Sequence, residues 1–186
     1  SVSEKVLSTE DIVEEDSKDA TVNFLQKAFQ SAVKKKKKTS SLIEVDGMED
    51  ILVHFSKCCN PIPGDNVFGF ISVNEGIKVH KKDCPNAISL QSNYAYRIIS
   101  AKWIDSTQEE FTSEIKLTGI DNLGLMNKIT EIISDNMHVN MRNLNFSTDG
   151  GTFTGKITLV VKNQAILKKL INNLKQINGI EKVVRI

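Results

Sequence analysis

The sequence predicts an α+β chain. It expects an N-terminal helical segment, a small β-rich unit that carries all three cysteines, and a C-terminal β-α-β-β-α-β unit. Three observations carry that expectation. Apolar residues fall at helical spacing in residues 21–33, whereas short runs of strand-forming residues separated by turns fill 42–106. Alternating segments and helical stripes interleave after residue 107 in the split βαβ order. Charge is segregated along the chain although it totals only +1.

The first segment, residues 1–41, opens acidic: residues 1–20 hold two Lys against seven acids. Val22, Leu25, Phe29, Ala32 and Val33 then form one apolar stripe, with Thr21 as its expected N-cap. Lys34, Lys35, Lys36, Lys37 and Lys38 follow, before a Thr39-Ser40-Ser41 linker. Cations suit a helix C-terminus, but five adjacent like charges repel. The run reads either as a solvated helix end or as a patch that contacts phosphates.

In the second segment, 42–106, strands are expected at 42–45 and 51–55 around an Asp46-Gly47 turn, and at 67–73 and 77–80 around Asn74-Glu75-Gly76. Pro85 suits the first turn of a short helix reaching Leu90. A strand at 96–104 carries the only tryptophan, Trp103.

In the third segment, 107–186, the alternation of 111–117 predicts a half-buried strand. Residues 125, 126, 129, 132 and 133 mark a helix, and Asp121 or Asn122 can cap it. Strands at 139–146 and 153–161 flank the Asp149-Gly150-Gly151 hairpin turn. Ile166, Leu167, Leu170, Ile171 and Leu174 form a second helical stripe, ended by Asn178-Gly179. A last strand runs over 180–186.

Composition narrows the function. At 186 residues, 40% apolar and 25% charged, the chain is neither collagen-like nor wholly disordered. A net charge of +1 argues against nucleic-acid binding through bulk charge alone, yet residues 21–41 and 111–186 are locally basic. No apolar run approaches the roughly 18 residues of a membrane span. Three cysteines are too few for a disulfide scaffold and fit a reducing cytoplasm. The acidic start has neither an initiator Met nor a signal-peptide core, so it reads as a fragment or a processed chain.

The most distinctive stretch is Cys58-Cys59-Asn60-Pro61-Ile62-Pro63-Gly64-Asp65, followed downstream by His80-Lys81-Lys82-Asp83-Cys84-Pro85. Cys58, Cys59, His80 and Cys84 would make four zinc ligands. Adjacent cysteines in a strand would point to opposite faces, which opposes that reading. Buried cysteines packing as small hydrophobes and a redox thiol stay open beside it. No P-loop, dinucleotide fingerprint, zincin motif or nucleophile elbow occurs, so no enzymatic activity is expected of this stretch. A second candidate, Asp121, Asn122, Leu123, Gly124 and Leu125, sits at a strand-to-helix junction. There it would be either a small amino-acid site or a plain capped turn.

These stretches resemble a known family. Residues 52–86, LVHFSKCCNPIPGDNVFGFISVNEGIKVHKKDCPN, resemble the conserved-cysteine module, also called zinc-finger or ribosome-intersubunit module, of long RelA/SpoT-type proteins. GIDNLGLMNKIT (119–130) is similar to the turn of their ACT domain, with Asn122 where Arg is usual. The resemblance implies the C-terminal regulatory part of a (p)ppGpp synthetase or synthetase/hydrolase, a GTP pyrophosphokinase whose catalytic domains lie elsewhere. It implies as partners the ribosome with uncharged tRNA, the parent's own catalytic domains, a second copy through the ACT domain, and a branched-chain amino acid. It implies zinc at Cys58, Cys59, His80 and Cys84. Lys34–Lys38, Lys81 and Lys82 are the RNA-contact candidates.

Overall fold

A computed structural model describes residues 42–48, 52–73, 75–104 and 109–186, together with Asn23, Gln26 and Lys27. Those three are helical and exposed. The apolar stripe around them, the Thr21 cap and the lysine run lie outside the described residues.

The first sheet has five strands: β1 (Ile43–Val45), β2 (Val53–Phe55), β3 (Val67–Ser72), β4 (Gly76–Lys81) and β5 (Ile98–Trp103). Their order is β1-β5-β3-β4-β2. β3 pairs antiparallel with β4 and β5, while β2 runs parallel to β4. Asp46 and Gly47 both take positive φ, 51° and 78°, which closes the tight turn after β1.

β3 is covered on both faces, and its alternation separates two cores. Val67 packs with Val45, Ile77 and Val79 on one side. Phe68 and Phe70 pack with Cys59, Cys84 and Ala87 on the other. The second face is covered by helix α1 (Pro85–Asn93), which has Pro85 at its first turn. A 3-10 turn (Ala95–Arg97) precedes β5 where the sequence suggested strand. Arg97 holds it by donating from Nε to Ile71 O at 2.8 Å, with its guanidinium 4.6 Å above the Phe70 ring.

The second sheet has the order β7-β8-β6-β9, built from β6 (Phe111–Ile120), β7 (Asn140–Asp149), β8 (Thr152–Val161) and β9 (Ile180–Arg185). Every neighbouring pair is antiparallel. Helices α2 (Leu125–Thr130) and α3 (Gln164–Lys175) complete the β-α-β-β-α-β order. Leu125, Ile129 and Ile133 on one stripe, and Leu167, Leu170 and Leu174 on the other, are buried in one core with Ile115, Leu117, Ile157 and Leu159.

Asn163 caps α3, its side chain accepting from Ile166 N at 2.9 Å. α2 widens into a π-helical segment (Glu131–Asn136). At the junction the Thr130 hydroxyl donates to Met126 O and Asn127 O, competing with the helical ladder.

The two sheets meet. Ile62, from the loop after the paired cysteines, is fully buried within the core of the second sheet. Phe55 of β2 and Trp103 of β5 stack at 5.5 Å, and both meet Phe111 of β6 edge-on.

Candidate metal centre

β2 ends at Phe55, and the chain turns at once. Cys59 N and Asn60 N both donate to Ser56 O, at 3.3 and 2.9 Å. Asn60 then takes a positive φ of 39°. This explains why the strand argument against a shared site fails: Cys58 and Cys59 lie in a turn, where successive side chains need not diverge.

His80 comes from β4, stacked on Phe68 at 5.7 Å. Cys84 comes from the start of α1, where Ala87 N donates to Cys84 O at 2.8 Å. One ligand atom from each of Cys58, Cys59, His80 and Cys84 lies within 4.8 Å of the others.

The spacing is informative. Cys58 Sγ is 3.6 Å from both Cys84 Sγ and His80 Nδ1. A disulfide requires about 2.05 Å. Ligands about 2.0–2.3 Å from a tetrahedral zinc stand roughly 3.3–3.8 Å apart. Three sulfurs and one imidazole are a familiar structural zinc set, so the residues fit the ion.

Burial sets the charge state. Cys59, His80 and Cys84 are buried and Cys58 is exposed. Desolvation pushes the Cys59 thiol up to about 12; the Lys81 amide, donating to Cys59 Sγ at 3.4 Å, opposes that rise. Desolvation holds His80 below its ordinary value, with Lys78 adding to the effect. His80 is therefore neutral, as a ligand must be, whereas Cys59 needs a cation beside it to become thiolate.

The other expected sites stand apart. Lys81 pairs with Asp83 at 3.2 Å. Lys82 lines an open groove of about 790 Å³ with Asn66, Lys102 and Trp103. Lys34–Lys38 lie outside the described residues.

Neither Asp121 nor Asn122 caps α2. Gly124 does so at φ 78°, without a side-chain bond, because its left-handed backbone delays the helix start past both. Asp121, Asn122, Leu123 and Gly124 are exposed, Leu123 wholly so, while Leu125 is buried.

One set of residues escaped the sequence reading. Asp65 binds Gln164 and Arg185 across 99 and 120 residues. No local spacing signals it; the one cue was an acid within a proline-rich loop.

Residues 43–104 match the RelA/SpoT RIS domain family and residues 107–185 the ACT domain family. The chain is 31% identical over 145 residues to the bifunctional (p)ppGpp synthase/hydrolase RelA of Mycobacterium tuberculosis, covering 77% of this chain and 19% of that protein. It is 30% identical over 142 residues to the GTP pyrophosphokinase of Escherichia coli K12, covering 75% and 19%. It is also similar to the crystal structure of the ACT domain from the GTP pyrophosphokinase of Chlorobium tepidum. That match has 31% identity and a TM-score of 0.39, and covers 42% of this chain and all of that one. The chain thus spans about a fifth of the length of these two full-length relatives.

Proposed function

The chain belongs to the RelA/SpoT family, as its C-terminal regulatory region with RIS and ACT domains, and from that premise we propose that it docks on the ribosome and uncharged tRNA. In this reading it signals amino-acid starvation to catalytic domains elsewhere in the parent protein, where pyrophosphate transfer to GDP or GTP takes place. The observation that carries the reading is the succession of the two matched domains, RIS at 43–104 and ACT at 107–185. Residues 42–106 and 107–186 are then the two regulatory units, and 1–41 the approach to them from the catalytic half.

Backbone contacts are favoured over base readout. The groove beside Lys82 and Lys102 presents cations and amides, and aromatics are only 6% of the chain. Ribosome pelleting across a salt series tests this. Binding should fall steeply as salt rises, because phosphate contacts release counterions. Recovery of no chain at low salt would sink the proposal.

Within this role Cys58, Cys59, His80 and Cys84 hold zinc as a structural clamp. Those residues come from the turn after β2, strand β4 and the start of α1, so a bound zinc would be held between the three and would favour Cys59 as a thiolate. Metal analysis of the purified chain should return about one zinc, lost in Cys58→Ser and Cys84→Ser.

A second reading, pairing of two copies through the ACT domain, is favoured by the open edge of β7. Its ten residues carry no proline, and the one basic side chain, Arg142, sits at a register shift near the start, which leaves 143–149 as the regular edge. Sedimentation decides it, and a monomer at high concentration counts against it. A branched-chain amino acid at Asp121–Leu125 is favoured only by the uncovered Leu123. A flat calorimetric titration at millimolar valine or isoleucine would remove it.

A further inference from the structure

Asp65 is 4% exposed and fully engaged. Its Oδ2 accepts from Ile62 N at 2.9 Å. Its Oδ1 accepts from Gln164 Nε2 and from Arg185 Nη1, both at 2.8 Å. The other arm of Arg185 donates from Nη2 to Asn60 O at 2.7 Å, and Gln164 N donates to Pro63 O at 2.8 Å. Arg185 ends β9 and Gln164 begins α3, so these four holds on the loop come from the ACT domain.

The segment so gripped, residues 60–65, starts one residue after Cys59. It has little freedom of its own: Asn60 is in the left-handed region, Pro61 and Pro63 have fixed φ, and Ile62 is fully buried. At its other end, Asp65 O accepts from Trp103 Nε1 at 3.0 Å, which ties the same loop to β5. Losing the Arg185 hold at Asn60 and Asp65 frees a stiff loop that begins directly after Cys59, so the thiol beside it can shift.

We infer that Asp65, Arg185 and Gln164 are positioning residues for the Cys58–Cys59–His80–Cys84 cluster, which makes it a two-domain site shaped from the ACT side. For the identity of the ion this rests on the zinc reading; for the thiol geometry it does not. Reciprocity follows: whatever closes the cluster also favours docking of the ACT domain, by the same factor.

The test uses the whole 186-residue chain. Zinc alone is competed against a chromophoric chelator in the unaltered protein, Asp65→Asn, Arg185→Met and the double variant. In parallel, metal-free protein is alkylated with iodoacetamide, and labelling of Cys59 is followed by peptide mass. Each single variant should weaken zinc roughly 10- to 100-fold, the scale on which supporting residues act, with no further loss in the double variant. Labelling of buried Cys59 should speed up correspondingly. Arg185→Lys, which keeps the charge but not the two-armed grip, should recover part of both.

Folded variants with unchanged zinc affinity and unchanged Cys59 labelling would overturn the inference. If the unaltered chain binds no zinc, the zinc reading falls and labelling alone decides the positioning role. If the charge variants do not fold, Gln164→Ala, which removes one neutral hydrogen bond, decides by the same two readouts.

Discussion

Cys59 and His80 share one apolar pocket, and burial moves both toward their neutral forms. In metal-free protein the Cys59 thiol keeps its proton up to about 12, while the unfolded chain loses it near 9.0. The folded state therefore binds more protons in that interval, and stability falls as pH rises from about 9 toward 12. His80 works in the opposite direction. Its depressed value means that stability, and with it zinc affinity, is present above 6.5 and is lost as pH falls below it. Thermal unfolding of metal-free protein should show both slopes, the alkaline one flattened by Cys59→Ala and the acid one by His80→Gln. A pH-independent melting temperature between 8.5 and 11 would contradict the Cys59 argument.

At the element scale, two positions control how the second sheet closes. Gly119 of β6 lies against Gly179 where the β6–β9 register shifts, and an added Cβ would run into the Gly179 carbonyl oxygen. Backbone cannot step aside as a side-chain tip can. Gly119→Ala should therefore cost about 1–3 kcal/mol, the range for overpacking, read as a lower urea midpoint at unchanged slope. Asn163→Ala should cost about 1 kcal/mol by the same measurement, since it frees the Ile166 amide at the start of α3.

Element type was legible along most of the described chain because period sets it; the 3-10 turn Ala95–Arg97, expected as strand, is an exception. Leu167, Leu170 and Leu174 repeat with the helix, and Ile115 and Leu117 alternate with the strand. What escaped depended on single residues: Gly124 at φ 78° moved the helix start past Asn122, and the Thr130 hydroxyl binds Met126 O and Asn127 O where α2 widens. The four metal-site residues could be picked out by type. Their convergence could not, because a turn and a strand at Cys58–Cys59 look alike in sequence and differ wholly in where they aim sulfur.

On the scale of the whole molecule, two sheets with separate cores share one loop. Ile62 leaves the cysteine segment and fills a place among Leu117, Ile129, Leu167 and Leu170. Phe55, Trp103 and Phe111 pack ring against ring across the same junction, and Asp65 binds Arg185 beside it. None of this is readable from spacing, since contacts over about 100 residues leave no local period. Such a junction buries apolar surface from both sides, so the sheets should unfold together. The described chain is expected to melt in one transition, with calorimetric and van't Hoff enthalpies in agreement. Ile62→Ala should destabilise it by about 2–5 kcal/mol, as for a fully buried isoleucine. The more telling outcome is cooperativity. With the plug removed, the two sheets keep their own cores but lose the part they share, and the single transition should broaden or divide. If Ile62→Ala only lowers the midpoint of one sharp transition, the ring cluster and the Asp65–Arg185 pair suffice to hold the junction. If the unaltered chain already melts in two steps, the sheets are energetically independent despite their contact.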